Sequence, residues 1–315
     1  HSGWFFGGFD TGKVSWTPGL GDTGFGGGSS DSSWYWNHTG SYVYTWDTSW
    51  FSSGEWDSGW WTALAVDSAG EDTQDTGDTG SLESFELVGT LTYDRVPTTC
   101  GTGCSLDYAN TVVLPVRHHV VALIDETTST TIEETTTDDQ GRWGFQWTGS
   151  SNVSLLFRAQ AFIPAVSGDP YADIRIVDNT DQGAMWTIGT TTIDMTSPPG
   201  PLSAHLESGW TGSEYGNYRA AAPFAISDSA LQAAEAFLAV DPSLKLPALD
   251  INWSPNNVPV GGASSKGKIG TSHWNGTALY ILGAEDNDAD EYDDHAIVHG
   301  HAVFDTATLC GGSIY

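Results

Sequence analysis

The chain has 315 residues, room for two domains or for one domain with a large appendage. Ten Lys+Arg stand against forty Asp+Glu, a formal charge of −30. That charge repels nucleic acid and anionic membrane surfaces, which argues against a phosphate-backbone partner, and no apolar run reaches the length of a membrane span. The balance suits high salt, divalent cations or a cationic partner. As plain surface carboxylate it also keeps an extracellular protein in solution. Few Lys among many Gly, Ser, Thr and aromatic residues give the composition of a secreted chain. A first residue His1 without Met is what a processed chain or a fragment carries.

Residues 1–70 read as a Trp/Gly/Ser-rich arm. Nine of the fifteen Trp fall between Trp4 and Trp61, with almost no Leu, Ile or Met beside them. The alternation in SYVYTW, residues 41–46, predicts short strands. Ordering so many glycines is entropically costly, so the arm must be held by something. Trp34, Trp36, Trp46, Trp50, Trp60 and Trp61 are the candidate contact residues, with another domain or a neighbouring copy as partner. The expected outcome is self-association, the arm packing on a neighbour or adding a strand to it. Carbohydrate stacking is the sharper alternative. EDTQDTGDTGS, residues 71–81, is an acidic linker.

Residues 82–195 read as all-β. FELVGTLTYDRVP, ANTVVLPVRHHVVALID and VSLLFRAQAF are β-branched or aromatic runs separated by turn residues. In TTCGTGCSLDY, Cys100 and Cys104 are close enough to bridge through a Gly-containing loop. A CxxxC pair with no Cys or His partner nearby is a poor zinc site. The favoured reading is a local disulfide and an oxidising compartment. Cys310 is then left over as a candidate for an intermolecular bridge. His118 and His119 are strand neighbours that face opposite sides, so they are expected to be structural. TTDDQGRWGFQW, residues 136–147, resembles the T-D-x-x-G turn-and-strand of carboxypeptidase regulatory-like and transthyretin-like β-sandwiches. The resemblance implies a sandwich fold and says little about chemistry.

Beyond the breaker TSPPGP the pattern changes, and residues 196–315 read as an α+β domain. SDSALQAAEAFLAV predicts a helix over 227–240, with Ser or Asp at its N-cap. KIGTSHWNGTALYILG predicts strands around an Asn275-Gly276 turn. The acidic loop that follows offers Asp286, Asp288 and Asp290 as candidate calcium ligands. It is not an EF-hand, because Glu291 and Ile297 occupy the positions that need Gly and a bidentate Glu. EYDDHAIVHGHAVFD then brings His295, His299 and His301 within seven residues, the candidate metal ligands of the chain. On a helix His295 and His299 are one turn apart and can share a zinc ion. The HExxH motif would need a Glu as general base where Ala296 stands.

With TYDRVP, LDYANTVVLPVR, RAAAPFAI, NWSPNNVPV and GKIGTSHWNGTALYILG, this segment resembles a family of bacterial exported proteins. That family joins a carboxypeptidase regulatory-like β-sandwich to an HExxH, zincin-type metallopeptidase-like domain. By its H-E-[FWY]-G-H pattern, His299 matches the first zinc histidine and Gly300-His301 the closing pair, with two residues missing between them. The resemblance implies a sandwich and a metallopeptidase-like α+β domain that is incomplete and has a degenerate motif; with the aromatic arm ahead of them, the chain is expected to be mainly β. The leading expectation is an extracellular structural or assembly protein, a surface-layer or fibre subunit, with zinc or calcium as the only cofactors in view and no catalytic residue assigned. The alternatives are a secreted zinc metallopeptidase whose motif is misread or cut short, and a carbohydrate-binding adhesin.

Overall fold

The computed structural model describes residues 33–36, 42–46, 85–100, 104–149, 152–165, 170–197, 199–216, 218–284 and 289–310. Two strands of the arm, β1 (Ser33–Trp36) and β2 (Tyr42–Trp46), form an antiparallel hairpin. β3 (Phe85–Arg95) follows and buries Leu87, Leu91 and Tyr93 at alternate positions, the period of a half-buried strand. β4 (Thr98–Cys100) and β5 (Cys104–Leu106) make a small ribbon. Next come β6 (Val112–Pro115), β7 (His119–Asp125), β8 (Thr130–Thr136), β9 (Arg142–Trp147) and β10 (Val153–Ile163). β11 (Ala172–Asp178), β12 (Ala184–Met185), β13 (Thr187–Thr190) and β14 (Leu202–Leu206) lead to helix α1 (Ala221–Val240). β15 (Leu249–Trp253), β16 (His273–Trp274) and β17 (Leu279–Ile281) lead to helix α2 (Asp294–Cys310). The chain is mainly β. Among the described residues no helix is long and apolar enough to cross a membrane.

An eleven-stranded sheet runs β1-β2-β13-β10-β11-β15-β17-β16, with β7 and β8 joined through β10, and β12 through β11. β10 is its pivot, pairing with β7 from Val153 to Ala161, with β13 over residues 156–158 and with β11 over residues 160–163. β11, β15 and β17 are parallel, and α1 makes the crossover between β11 and β15. A four-stranded sheet forms around β3, which pairs with β6, β9 and β14. The two sheets share a core: Trp143 on β9 meets Phe157 on β10 at 6.0 Å between ring centroids. Phe224 and Leu231 of α1 and Ile297 of α2 complete it. Sheet pairing therefore crosses the boundary expected at 195/196. β14 lies beyond it yet pairs with β3, and β15 and β17 extend the sheet that holds β10.

Where the arm is described, it pairs with the chain itself. β2 lies parallel to β13, from Val43 opposite Thr187 to Trp46 opposite Thr190. The strand expected to be offered to a neighbour is here spent on the chain's own sheet, where it covers backbone groups of β13 that would otherwise form an open edge. The side chains of Trp34, Trp36 and Trp46, and all of Trp50, Trp60 and Trp61, lie outside the described residues.

Helix α1 begins at Ala221, six residues before the expected cap, with Pro223 in a first turn that does not need its N–H. Ser227, Asp228 and Ser229 are therefore mid-helix, and all three are buried. Their polar atoms have fixed partners. Tyr93 donates its hydroxyl to Asp228 Oδ2 at 2.9 Å. Arg117 donates Nη2 and Nε to Asp228 Oδ1 at 2.8 and 3.1 Å, and Nη1 to Glu235 at 3.1 Å. Ser227 hydrogen-bonds His119 Nε2, and Ser229 donates to Asp294 Oδ1 at 2.6 Å. Three consecutive helix residues thus reach β3, β7 and the start of α2.

The T-D-x-x-G segment is a built turn. Asp138 Oδ1 accepts from the backbone N–H of Gln140 and Arg142, both at 2.8 Å, and buried Thr137 accepts from the His119 N–H at 2.9 Å. Gly141 has φ +72°, and a Cβ there would lie 2.3 Å from the Leu91 carbonyl oxygen. Gly141→Ala is expected to cost about 2 kcal/mol, read as a lower midpoint in urea unfolding with an unchanged slope.

Candidate functional site

The acidic run before α2 is tied into the fold carboxylate by carboxylate. Asp290 accepts from the Ser272 hydroxyl. Glu291 is fully buried and receives Arg219 Nη1 at 3.0 Å. Burial pushes its carboxyl upward, while Arg219 and a hydrogen bond from Tyr215 pull it back. Asp293 Oδ1 accepts from the N–H groups of His295 and Ala296 at 2.8 and 3.3 Å, which makes it the N-cap of α2. Asp294 in the first turn receives Arg95 and Ser229, a position the helix dipole also favours. For the calcium ligands expected here, the outcome is that Asp290 is already engaged, and Asp286 and Asp288 lie outside the described residues.

α2 separates the three histidines. His295 and His299 are exposed and share one face with Asp294, Val298 and Ala302, around a shallow concavity of about 360 Å³. His301 stands roughly 200° further round the helix from His299, is buried, and lies 6.3 Å from the Phe304 ring. Burial lowers its pKa to about 4, against a backbone hydrogen bond at Ala230. Gly300 explains the close seat of this turn: a Cβ there would come within 2.3 Å of the Leu279 side chain on β17. Among the described residues no group of three or more His, Cys, Asp or Glu is placed to hold a metal ion. With Ala296 in the place of the base and His301 turned away, these residues do not fit a catalytic zinc centre of the HExxH kind.

His118 and His119 are not the strand neighbours expected: His118 sits in a bend just before β7, and only His119 belongs to the strand. His118, at φ +60°, pairs with Asp139 at 2.9 Å. His119 is buried between Ser227 and the Arg117 carbonyl, and burial lowers its pKa to about 4. Cys100 and Cys104 are backbone partners in the β4–β5 register, and their side chains lie outside the described residues. Cys310 is the last residue of α2.

A second concavity was not legible in the sequence. It measures about 470 Å³ and is lined by Asp94, His205, Glu207, Trp210, Thr211 and Tyr218, among others. β3 and β14 supply its floor. Asp94 Oδ1 meets His205 Nε2 at 3.0 Å, His205 Nδ1 meets the Thr92 hydroxyl at 3.0 Å, and the Ser208 N–H donates to Asp94 Oδ2 at 2.8 Å. One wall is the tight hairpin over residues 209–216. Gly209, at φ +80°, allows the Tyr218 carbonyl oxygen to come within 1.8 Å of where a Cβ would stand. Trp210 is held by stacking on Tyr108 at 4.0 Å. The only local signal was the density of Gly and aromatic residues in HLESGWTGSEYGNY.

His119 and His301, each lowered to about 4 in the fold, make stability depend on pH. The unfolded chain, with histidines near 6.5, binds more protons below that value, so stability is full above about pH 6.5 and falls toward about pH 4. His301→Leu is expected to reduce the loss between pH 7 and 4.5 by about 2–3 kcal/mol, measured by urea unfolding at both values. No protein-family model, no curated protein and no solved structure matches the chain, so the reading of its sites rests on their geometry.

Proposed function

We infer that this chain is a structural module of an extracellular assembly. It joins a carboxypeptidase regulatory-like β-sandwich to a metallopeptidase-like α+β unit whose motif helix braces the fold and does no hydrolysis. The observation that carries this reading is the fate of α2. Its exposed histidines and its buried histidine lie on different faces, and the carboxylate of its first residue, Asp294, fastens it to Ser229 of α1 and Arg95 of β3. A catalytic helix turns its ligands toward one ion and one cleft; this one divides them. Sheet edges supply the means of assembly. Among the described residues β8 pairs with β7 alone and is exposed along nearly its whole length, an edge to which a second chain can add a strand.

The test has two arms. With zinc added, the purified chain is expected to cleave casein no faster than a variant with His295, His299 and His301 all changed to Ala. Sedimentation velocity at rising concentration is expected to show species larger than one chain. Zinc-dependent cleavage abolished in the triple variant would restore the peptidase, and a chain that stays monomeric throughout would remove the assembly role.

A second reading, carbohydrate binding, is favoured by the groove rather than by the arm. Trp210 and Tyr218 offer ring faces or edges, and Asp94, His205 and Glu207 offer hydrogen bonds to hydroxyls. Titration of tryptophan fluorescence with neutral oligosaccharides is the measurement. Saturable quenching that Trp210→Ala abolishes is expected on this reading; no response from any glucan or chitin oligomer at millimolar concentration would end it.

A further inference from the structure

Two imidazoles one turn apart on a helix have Cβ atoms about 5–6 Å apart, close enough for both rings to reach one ion. His295 and His299 stand in this relation, both exposed, with small or apolar Val298 and Ala302 beside them. Imidazole suits zinc, copper and nickel rather than calcium or magnesium. A closed zinc site takes four ligands, and one chain supplies two here. The carboxylates at the start of the helix are engaged, Asp293 with the helix N–H groups and Asp294, through Oδ1, with Arg95 and Ser229. His301 faces α1, and no third ligand joins the pair among the described residues. The pair is therefore half of a coordination sphere on an open, shallow face. A second copy of the same face, turned by a two-fold axis, supplies the other half. Two chains that each carry −30 repel one another, and a divalent ion between them supplies positive charge where they would meet.

We propose that His295 and His299 form a half-site for a divalent transition-metal ion, and that two copies of the chain close one such ion between their α2 faces. The proposal rests on the reading of the chain as an assembly protein and names the face and the bridging agent. It differs from a zincin centre in ligand pair, in exposure and in outcome, since the product is a dimer.

The experiment uses the full chain, stripped with a chelator and titrated with zinc chloride, followed by sedimentation velocity and calorimetry. The expected result is a dimer at one zinc per two chains, reversed by chelator and not produced by calcium at the same concentration. His295→Ala and His299→Ala, both on the surface, are each expected to raise the zinc concentration needed by about tenfold or more, since changes outside a ligand set already cost about 10- to 100-fold. Val298→Arg leaves both ligands in place and is expected to bind zinc without dimerising. Zinc binding unchanged in the double histidine variant would overturn the site, and zinc binding without a dimer would overturn the bridge. A dimer formed equally by calcium would assign the effect to carboxylate screening and overturn both. Larger species that form without zinc and ignore the chelator would defeat this inference and leave the assembly reading standing. Zinc-dependent casein cleavage would defeat that reading instead.

Discussion

A carboxylate in the middle of a helix, buried against two sheets, is costly unless every lone pair that faces protein is answered. Asp228 is such a group, and its answers fix the architecture. Tyr93 reaches it from β3, Arg117 from the segment entering β7, and Gln232 from the next turn of α1. The Tyr93 hydroxyl is held firmly protonated, first by burial and then by the adjacent carboxylate, so it remains a donor at all ordinary pH. The flanking serines extend the arrangement to His119 and Asp294. Removing one partner of such a pair leaves a charge stranded, at a cost of about 3–5 kcal/mol, a large share of the stability of most domains. The rotation of α1 about its axis is thus set by hydrogen bonds, with apolar packing filling in around it, and the entry of α2 is set through α1.

That same triplet shows where sequence reasoning stops. Ser-Asp-Ser ahead of an alanine-rich run has the chemistry of an N-cap, and local preference alone favours that reading. What overrides it is Tyr93 and Arg117, more than a hundred residues upstream in the sequence. Patterns carried by one segment were readable: the alternation of Leu87, Leu91 and Tyr93, the run of β10, the turn around Gly141, and the strand character of SYVYTW. Features made by several segments were not. The groove at Asp94 and His205 needs β3 and β14 side by side, and the sheet that runs through 195/196 depends on parallel pairings of high sequence separation. The arm's strand could be foreseen, but its partner β13 could not.

Charge offers a parallel lesson. A net −30 and a D-E-Y-D-D run invite the idea of a cation site. Residue by residue, the run consists of a helix cap, a buried partner for Arg219, and a clasp to Arg95. Formal charge counts carboxylates, and a ligand is a carboxylate with nothing better to do. The three histidines repeat the point with geometry: spacing in sequence promises convergence, and a turn of 100° per residue decides which of them can meet. His295 and His299 share an exposed face, and His301 is taken into the core.

β10 belongs to both halves of the molecule, pairing with β7 along most of its length and with β13 and then β11 in succession. Sheet pairing therefore runs across the breaker TSPPGP. Cutting there would strip β14 from β3 and leave β11 without its parallel neighbour, exposing apolar surface on each piece. A cut at that point is therefore expected to destabilise both pieces, because each loses strands that pair with the other.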